Sequence, residues 1–284
     1  MKRLILSLSL LCGSVMGMNA QLLYKVSKDS ADQKPSYIVA SCKLMNPMGT
    51  ISQVGGLKKA LTDTDQMYFE VNKSAYANTL GDAKKLADGK KLLSLLTPAQ
   101  TSKLNAFLKK YMEVDFRSSY VQKKYGDLTP AALMEDLEQL LFVANHMGEY
   151  DPTHTFDQFF EAQAKANNEP VGGLCEVDSF INDTYKSDLK LQVSRLVKFL
   201  ENENVELSKL NKVADAFTAQ DVDVVAKATG AQVGKATLAA WAAKIPQVMA
   251  EKPTLFVIDA ANLGGSEGVL QLLRGAGYTV EGVR

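Results

Sequence analysis

The chain has 284 residues, of which 46% are hydrophobic and 23% charged, and its 32 basic and 32 acidic residues balance to zero net charge. This composition is typical of a globular protein with one large domain or two small ones. The balanced charge argues against a nucleic-acid-binding protein, because such a protein needs a basic face.

The first twenty residues have the features of a signal peptide. Lys2 and Arg3 precede an apolar run over 4–16, and Ala20 is a small residue suited to cleavage. The run is too short to span a bilayer well. We therefore expect an exported protein, periplasmic or secreted, that consists of residues 21–284 and has no transmembrane segment after cleavage. A retained N-terminal anchor is the alternative.

The next segment predicts a strand, a loop, a helix and a second strand. Tyr37–Ala40 is apolar and β-branched, as expected of a buried strand. A polar loop follows over 41–50, and a helix begins after the glycine pair at Gly55. Met67–Val71 is the second strand.

The middle of the chain is predicted to be mainly helical, because its apolar residues recur at spacings of three and four. Thr97-Pro98 and Thr129-Pro130 are typical helix starts, each with a capping threonine and a proline in the first turn. A short strand is predicted at 171–174. The predicted helices cover 86–96, 97–111, 129–142, 156–166, 179–201, 207–228 and 236–249.

The C-terminal segment repeats the order of the first unit. Thr254–Ile258 predicts a buried strand, 259–267 a polar Gly-rich loop, 269–274 a short helix and 278–283 a last strand. We therefore predict an α/β fold: a central mixed β-sheet built from two strand–loop–helix–strand units, with a large helical insertion over about 74–170. Sites in such folds lie at the carboxyl ends of the strands.

Several short segments together form a recognisable signature. Its residues are Ser36, Tyr37, Phe69, Glu70, Val71, Trp241, Leu263, Gly265, Gly268, Val269, Leu270, Leu272, Leu273, Gly277, Tyr278 and Val280. With these residues the chain resembles the TraB/GumN family, and the resemblance extends over nearly all of the chain after the signal peptide. It implies a metal-dependent protein, with peptidases in one branch, whose site is built from two Gly-x-x-His strand ends and nearby carboxylates.

The chain departs from the family pattern at the positions that carry its chemistry. Lys43 and Asn262 stand where the two histidines would be, and Thr237 replaces an arginine. An ammonium repels a metal ion, and a neutral amide is a weak ligand for a transition metal. Cys175 or Glu176 occupies the position of a family glutamate.

Glu70 is the best surviving catalytic candidate. It is expected to act as a general base or substrate contact, or alternatively to form a buried ion pair with Lys43. The resemblance brings several further residues to the same cleft as binding candidates. They are Ser41, Cys42, Lys43, Cys175, Glu176, Asp259 and Asn262.

The two cysteines that follow the signal peptide, Cys42 and Cys175, both lie at predicted strand ends. Our hypothesis is that they come close enough for a disulfide, which requires Cα atoms less than roughly 7 Å apart. Two small buried hydrophobic residues, or a thiolate nucleophile at Cys42 beside Lys43, are the alternatives.

Two further segments have ambiguous patterns. His146 and His154, with Glu149 and Asp151 between them, are interpreted as surface residues near a turn, with a metal site as the alternative. The loop 264–266 could bind an anion beside Asp259 and Asn262, although turn formation explains its glycines equally well.

Three functions follow from these observations. The first is an exported TraB/GumN-like pseudoenzyme that has lost metal-dependent hydrolysis and binds a protein or a small molecule, without a cofactor. The second is a divergent hydrolase or peptidase that uses the same cleft, Glu70 and a divalent metal. The third is a thiol or disulfide role of Cys42 and Cys175.

Overall fold

The computed structural model describes residues 21–28, 34–146 and 154–284. Its centre is a six-stranded sheet in the order β4-β3-β5-β2-β1-β6. The strands are β1 (Leu23–Ser27), β2 (Ser36–Ser41), β3 (Gln66–Phe69), β4 (Val171–Gly173), β5 (Thr254–Asp259) and β6 (Thr279–Gly282).

The sheet is mixed, as predicted. Strands β4, β3, β5 and β2 run parallel to one another, whereas β1 is antiparallel to both β2 and β6. Strand β2 is buried along its whole length and β5 nearly so, which explains their continuous apolar sequences. Because four parallel strands end at the same edge, the residues that follow them can share one site.

Both predicted strand–loop–helix–strand units are present. In the first, β2 leads through α1 (Pro47–Ile51) and α2 (Leu57–Asp63) to β3. In the second, β5 leads through α13 (Ala260–Leu263) and α14 (Val269–Gly275) to β6. These findings confirm the predicted α/β fold.

The remaining helices lie in the two long connections to β4 and β5. Between β3 and β4 these are α3 (Ala77–Ala83), α4 (Pro98–Met112), α5 (Ser119–Tyr125), α6 (Pro130–Asn145) and α7 (Phe156–Ala166). Between β4 and β5 they are α8 (Val177–Thr184), α9 (Leu189–Glu201), α10 (Glu203–Thr218), α11 (Val222–Thr229) and α12 (Lys235–Glu251). Within the described residues, no helix is long and apolar enough to cross a bilayer.

The apolar side chains form two clusters. One surrounds the sheet, and the other fills the space between α4, α5, α6 and α9. Leu196 and Phe199 of α9 belong to the second cluster, and Leu210 of α10 packs against both. The helical layer therefore includes helices that follow β4 as well as those of 74–170.

The capping residues predicted the helix starts correctly, whereas the apolar spacing over 86–96 did not predict a helix correctly. Thr97 forms a capping box with Gln100, and the side chain of Thr129 accepts from the amide of Ala132, so both predicted caps are confirmed. The prediction of a helix over 86–96 is wrong, because Asp88 and Gly89 have positive φ angles of 58° and 65° and only short 3₁₀ turns form.

Candidate functional site

The carboxyl ends of the four parallel strands bring most of the predicted site residues to one edge of the sheet. We call these residues the strand-end cluster. They are Ser41 at the end of β2 with Cys42 and Lys43 after it, Glu70 after β3, Cys175 after β4, Asp259 at the end of β5, and Asn262 in α13.

Glu70 is fixed by two donors from the neighbouring strand end. Its Oε1 atom accepts from the backbone amide of Asp259 at 3.0 Å and from Nδ2 of Asn262 at 2.8 Å. These bonds are possible because β3 and β5 are adjacent parallel strands, with Phe69 opposite Val257. The carboxyl group of Glu70 is therefore a cross-link between two strand ends.

Glu70 and Asp259 form a pair of half-buried carboxyl groups. Burial and the charge of Asp259 raise the pKa of Glu70 to about 7. The hydrogen bonds from Asn262 and the Asp259 amide lower it, but their effect is smaller. Burial also raises the pKa of Asp259, although Oδ1 of Asp259 accepts from the amide of Ala261 at 2.9 Å. Near neutral pH the pair can therefore keep one proton, as acid–base sites do.

The expected ion pair between Glu70 and Lys43 does not form. Strand β5 lies between β2 and β3, so the two residues are not on adjacent strand ends. Lys43 Nζ instead lies 3.3 Å from Oε2 of Glu138 on α6. Partial desolvation by the neighbouring protein opposes the charge of Lys43, but the carboxylates of Glu138, Glu135 and Asp259 outweigh this effect and raise the lysine pKa to about 12.

A second lysine, which the sequence reasoning missed, lies at the same edge. Lys73 Nζ is 2.5 Å from Oδ2 of Asp157 on α7. Desolvation by the neighbouring protein opposes the charge of Lys73, but Asp157, Glu70 and Asp259 together raise its pKa. The sequence signal that could have identified Lys73 is its position three residues after Glu70, just beyond the end of β3. Lys43 and Lys73 thus connect the strand-end cluster to the helical layer.

Asn262 is fully buried, and both ends of its side-chain amide are used. Nδ2 donates to Glu70, and Oδ1 accepts from the backbone amide of Gln232 at 2.9 Å. Gln232 lies in the loop between α11 and α12. Asn262, which stands at the second histidine position of the family pattern, therefore links the ends of β3 and β5 to the loop between α11 and α12.

These contacts decide whether the cluster fits the metal ion that the resemblance implies. The Asn262 oxygen and Oε1 of Glu70 already accept protein hydrogen bonds, and Lys43 places an ammonium at the other histidine position. Over 21–28, 34–146 and 154–284, no three His, Cys, Asp or Glu side chains are grouped as metal ligands would be. The donor set does not fit a transition-metal ion.

The cysteines are both free thiols, so the disulfide hypothesis is wrong. Cys175 follows β4 and Cys42 follows β2, and two strands lie between them. Three strand spacings of about 4.8 Å separate the two strand ends by roughly 14 Å, which no disulfide can bridge. Burial raises the thiol pKa to about 12 in Cys42 and about 11 in Cys175, which does not favour a thiolate nucleophile.

The other predicted residues have varied positions. Ser41 is buried at the end of β2 and lies opposite Asp259 in the sheet register. Glu176 is exposed and precedes α8. Cys175 contacts Glu70: its Sγ donates to the backbone oxygen of Glu70 at 3.1 Å. Thr237, at the arginine position, donates to Asp183 at 2.7 Å.

The Gly-rich loop after β5 is explained by close packing. A Cβ atom at Gly264 would lie 2.2 Å from the carbonyl oxygen of Val222, and the Gly265 amide donates to Oδ1 of Asp223 at 2.6 Å. The Gly265 amide, which a bound anion would need as a donor, thus already donates to a carboxylate of the protein. The side chain of Asp259 caps α13.

The two histidines of the predicted turn lie within the described residues. The ring of His146 stacks on Phe142 at 4.1 Å, and Nδ1 lies 2.9 Å from the Phe142 oxygen. His154 is exposed. Glu149 and Asp151 lie outside the described residues, so the metal alternative for this segment stays a prediction.

Comparison with known proteins identifies the family. The sequence model of the TraB/PrgY/gumN family matches residues 22–282. A search of curated proteins found no significant match. A search of solved structures found none either.

Proposed function

Because the chain belongs to the TraB/PrgY/gumN family, we propose that it is an exported member that has lost metal-dependent hydrolysis and acts as a binding or accessory protein. The strand-end cluster is then a family site in which side-chain hydrogen bonds and ion pairs replace metal coordination.

The observation that carries this proposal is the environment of Asn262. A metal ligand needs a lone pair directed at the ion, but the Asn262 oxygen is directed at the amide of Gln232. The side chain is fully buried, so it could not turn toward an ion without breaking bonds to both Gln232 and Glu70.

Lys43 supports the same proposal. Its ammonium is held by Glu138, with Glu135 and Asp259 nearby, so it stays charged throughout the physiological pH range. A permanent positive charge beside Asp259 opposes the approach of a divalent cation. In this proposal the ammonium of Lys43 supplies, near Asp259, the positive charge that a metal ion would supply in a family member with histidine at this position.

An open groove next to the cluster supports the binding role. An open groove of about 510 Å³ lies between α7 and the segment that follows Glu70. Its size is in the range of small-molecule sites, and its exposed lining is mainly apolar, with amide, hydroxyl and charged groups among the residues that form it. The lining residues are Asn72, Ser74, Ala75, Gln158, Glu161, Ala162, Lys165 and Val171.

Export is proposed from the signal-peptide pattern at 1–20, which lies outside the described residues. The measurement is the intact mass of the protein recovered from the periplasm or medium of a bacterial host. A chain that begins at Gln21 supports export, whereas a full-length chain that stays with the membrane supports the retained anchor.

The loss of metal binding is tested by metal analysis. Purified protein is dialysed against Zn²⁺, Mn²⁺ or Co²⁺, and bound metal is measured by plasma mass spectrometry and calorimetry. We expect far less than one ion per chain. The double variant Lys43→His with Asn262→His is the matched control, and it should bind more metal than the wild type. One ion per wild-type chain that is lost in Glu70→Gln would overturn the proposal.

A divergent hydrolase is the second candidate, and one observation favours it. Glu70, with a pKa of about 7, lies beside Asp259, and two such carboxyl groups can divide the roles of acid and base. The test is turnover of a fluorogenic peptide library and simple esters. Turnover that is abolished in Glu70→Gln and unchanged in Glu176→Gln would establish this candidate; no turnover by the wild type supports the binding role.

A further inference from the structure

Two short helices connect the strand-end cluster to the helical layer. Helix α3 begins shortly after Glu70 at the end of β3, and α8 begins shortly after Cys175 at the end of β4. The two helices contact each other, and the residue that follows each of them bonds to α6. We call α3 and α8 the strap helices, because each runs from a strand end of the sheet to α6.

The strap helices are packed less firmly than their neighbours. Each buries a single side chain, Leu80 in α3 and Ile181 in α8. Both side chains lie outside the two apolar clusters of the described residues, whereas α6 places Leu133, Leu137 and Leu141 in one of them. A segment with few buried apolar contacts unfolds locally at a lower free-energy cost than the core. The strap helices are therefore the part of this edge that opens most easily.

A single carboxylate on α6 holds the ends of both strap helices. Oε2 of Glu135 lies 3.1 Å from Nζ of Lys84, the residue after α3. Oε1 of Glu135 accepts from the hydroxyl of Tyr185, the residue after α8, at 3.1 Å. The Lys84 ammonium also lies 5.5 Å from the centre of the Tyr185 ring, within the range of a cation–π contact. Glu135, Lys84 and Tyr185 thus couple the two helices to each other and to α6.

Backbone carbonyl groups fix the chain at the points where the strap helices end. The amide of Thr129 donates to the Lys84 oxygen at 2.8 Å, and Nε2 of Gln192 donates to the Tyr185 oxygen at 3.0 Å. The other end of each strap helix is fixed by the strand that precedes it. Opening is therefore confined to the helices themselves, between two fixed ends.

We propose that the strap helices unfold locally as one unit to admit a ligand to the strand-end cluster, and that Glu135 is the residue that couples them. The need to admit a ligand rests on the proposed binding role, whereas the opening itself is measured without one. Asn72, Ser74 and Ala75 of the groove lead directly into α3. Opening of α3 therefore also extends the groove toward the cluster.

The first experiment measures amide hydrogen exchange of the purified protein by mass spectrometry, without a ligand. In the wild type, α3 and α8 should exchange faster than β2 and β5. Glu135→Ala should raise the exchange rates of both strap helices about tenfold, because hydrogen bonds to both are lost. The rates of β2 and β5 should not change. Strap helices that exchange as slowly as these strands in the wild type would overturn the proposal, whether or not the variant folds.

The matched control is Asp136→Ala, at the next residue of α6. The side chains of Glu135 and Asp136 are similarly exposed, at 31% and 36%, but Asp136 lies 4.0 Å from Lys124 of α5, within the helical layer. This variant should leave the exchange of the strap helices unchanged. An equal rise in Glu135→Ala and Asp136→Ala would mean that α6 as a whole is destabilised and would contradict the role of Glu135.

A second variant tests whether the strap helices open together. Tyr185→Phe removes the hydroxyl that bonds to Glu135 and changes no atom of α3, and the aromatic ring keeps its volume. Exchange should rise about fivefold in α8 and in α3 alike, the effect of about one hydrogen bond. A rise confined to α8 would show that the two helices open independently and would overturn the coupling.

The last experiment tests whether opening exposes the strand-end cluster. Cys175 belongs to the cluster, and its labelling by N-ethylmaleimide at one fixed pH is followed by peptide mass spectrometry. Labelling should be about tenfold faster in Glu135→Ala than in the wild type, because it follows the population of the open form, and unchanged in Asp136→Ala. Faster exchange with unchanged labelling would overturn the proposal. A wild type that binds a metal would overturn the proposed function but alter none of these comparisons, so the two proposals fail separately.

Discussion

The side chain of Asn262 donates to Oε1 of Glu70 across 2.8 Å, although the two residues are 192 positions apart in the chain. This bond joins the carboxyl ends of β3 and β5 at the positions where the family resemblance implies metal chemistry. Together with the bond from the Asp259 amide to the same oxygen, it cross-links two strand ends at this edge of the sheet. The predictions below test the parts of this arrangement separately.

Glu70 should make the stability of the protein depend on pH. Its pKa is raised from 4.5 to about 7 on folding, so its contribution is fully present below pH 4.5 and is lost as the pH rises through about 7. Glu70→Gln keeps the acceptor oxygen and removes the charge. The variant should therefore gain stability relative to the wild type between pH 5 and pH 8, by an amount of the order of 2 kcal/mol. Urea unfolding at the two pH values measures this difference.

The control for that experiment is Glu176→Gln, which changes an exposed carboxyl group beside the same strand edge. Its effect on stability should not vary with pH by more than a few tenths of a kcal/mol. If the difference between Glu70→Gln and the wild type is the same at pH 5 and pH 8, the raised pKa of Glu70 is wrong.

Asn262 should be a strong determinant of stability. Asn262→Ala removes the bond to Glu70 and the bond from the Gln232 amide, and it leaves a cavity at a fully buried position. The free energy of unfolding should fall by about 2–4 kcal/mol. Gln247→Ala, at an exposed amide on α12, should change it by less than about 0.5 kcal/mol. Equal effects of the two substitutions would argue against the cross-linking role of Asn262.

The ion pair between Lys43 and Glu138 should be energetically weak. The two side chains are 41% and 24% exposed, so solvent screens their attraction. A double-mutant cycle with Lys43→Met and Glu138→Gln should give a coupling energy below about 1 kcal/mol. A coupling above 2 kcal/mol would mean that the pair fastens the sheet to α6 far more tightly than its exposure indicates.

Gly264 should tolerate no side chain. A Cβ atom there would lie 2.2 Å from the Val222 carbonyl oxygen, and a backbone atom cannot move aside as a flexible side chain can. Gly264→Ala should destabilise the protein by about 2–4 kcal/mol. Gly275→Ala is the matched control, because nothing lies within 4 Å of its added Cβ atom. It should be neutral, or stabilising by up to about 1 kcal/mol. Thermal and urea unfolding of both variants compare them.

The sequence alone determined the main elements of this protein. The apolar runs at Tyr37–Ala40 and Thr254–Ile258 predicted the two central strands, and Thr97 and Thr129 predicted two helix starts, because these signals act between residues close in the chain. The family resemblance also followed from short segments. The helix predicted over 86–96 failed because its apolar spacing was regular while Asp88 and Gly89 adopt left-handed conformations.

Only the tertiary structure decided which residues of the cluster meet. The strand order places β5 between β2 and β3, so Glu70 contacts Asn262 and Asp259 while Lys43 pairs with Glu138. The same order separates Cys42 from Cys175. Strand order depends on long-range packing of the whole sheet, which no local pattern encodes. The sequence therefore predicted which residues lie at the strand ends, but it did not predict which of them form hydrogen bonds or ion pairs with one another.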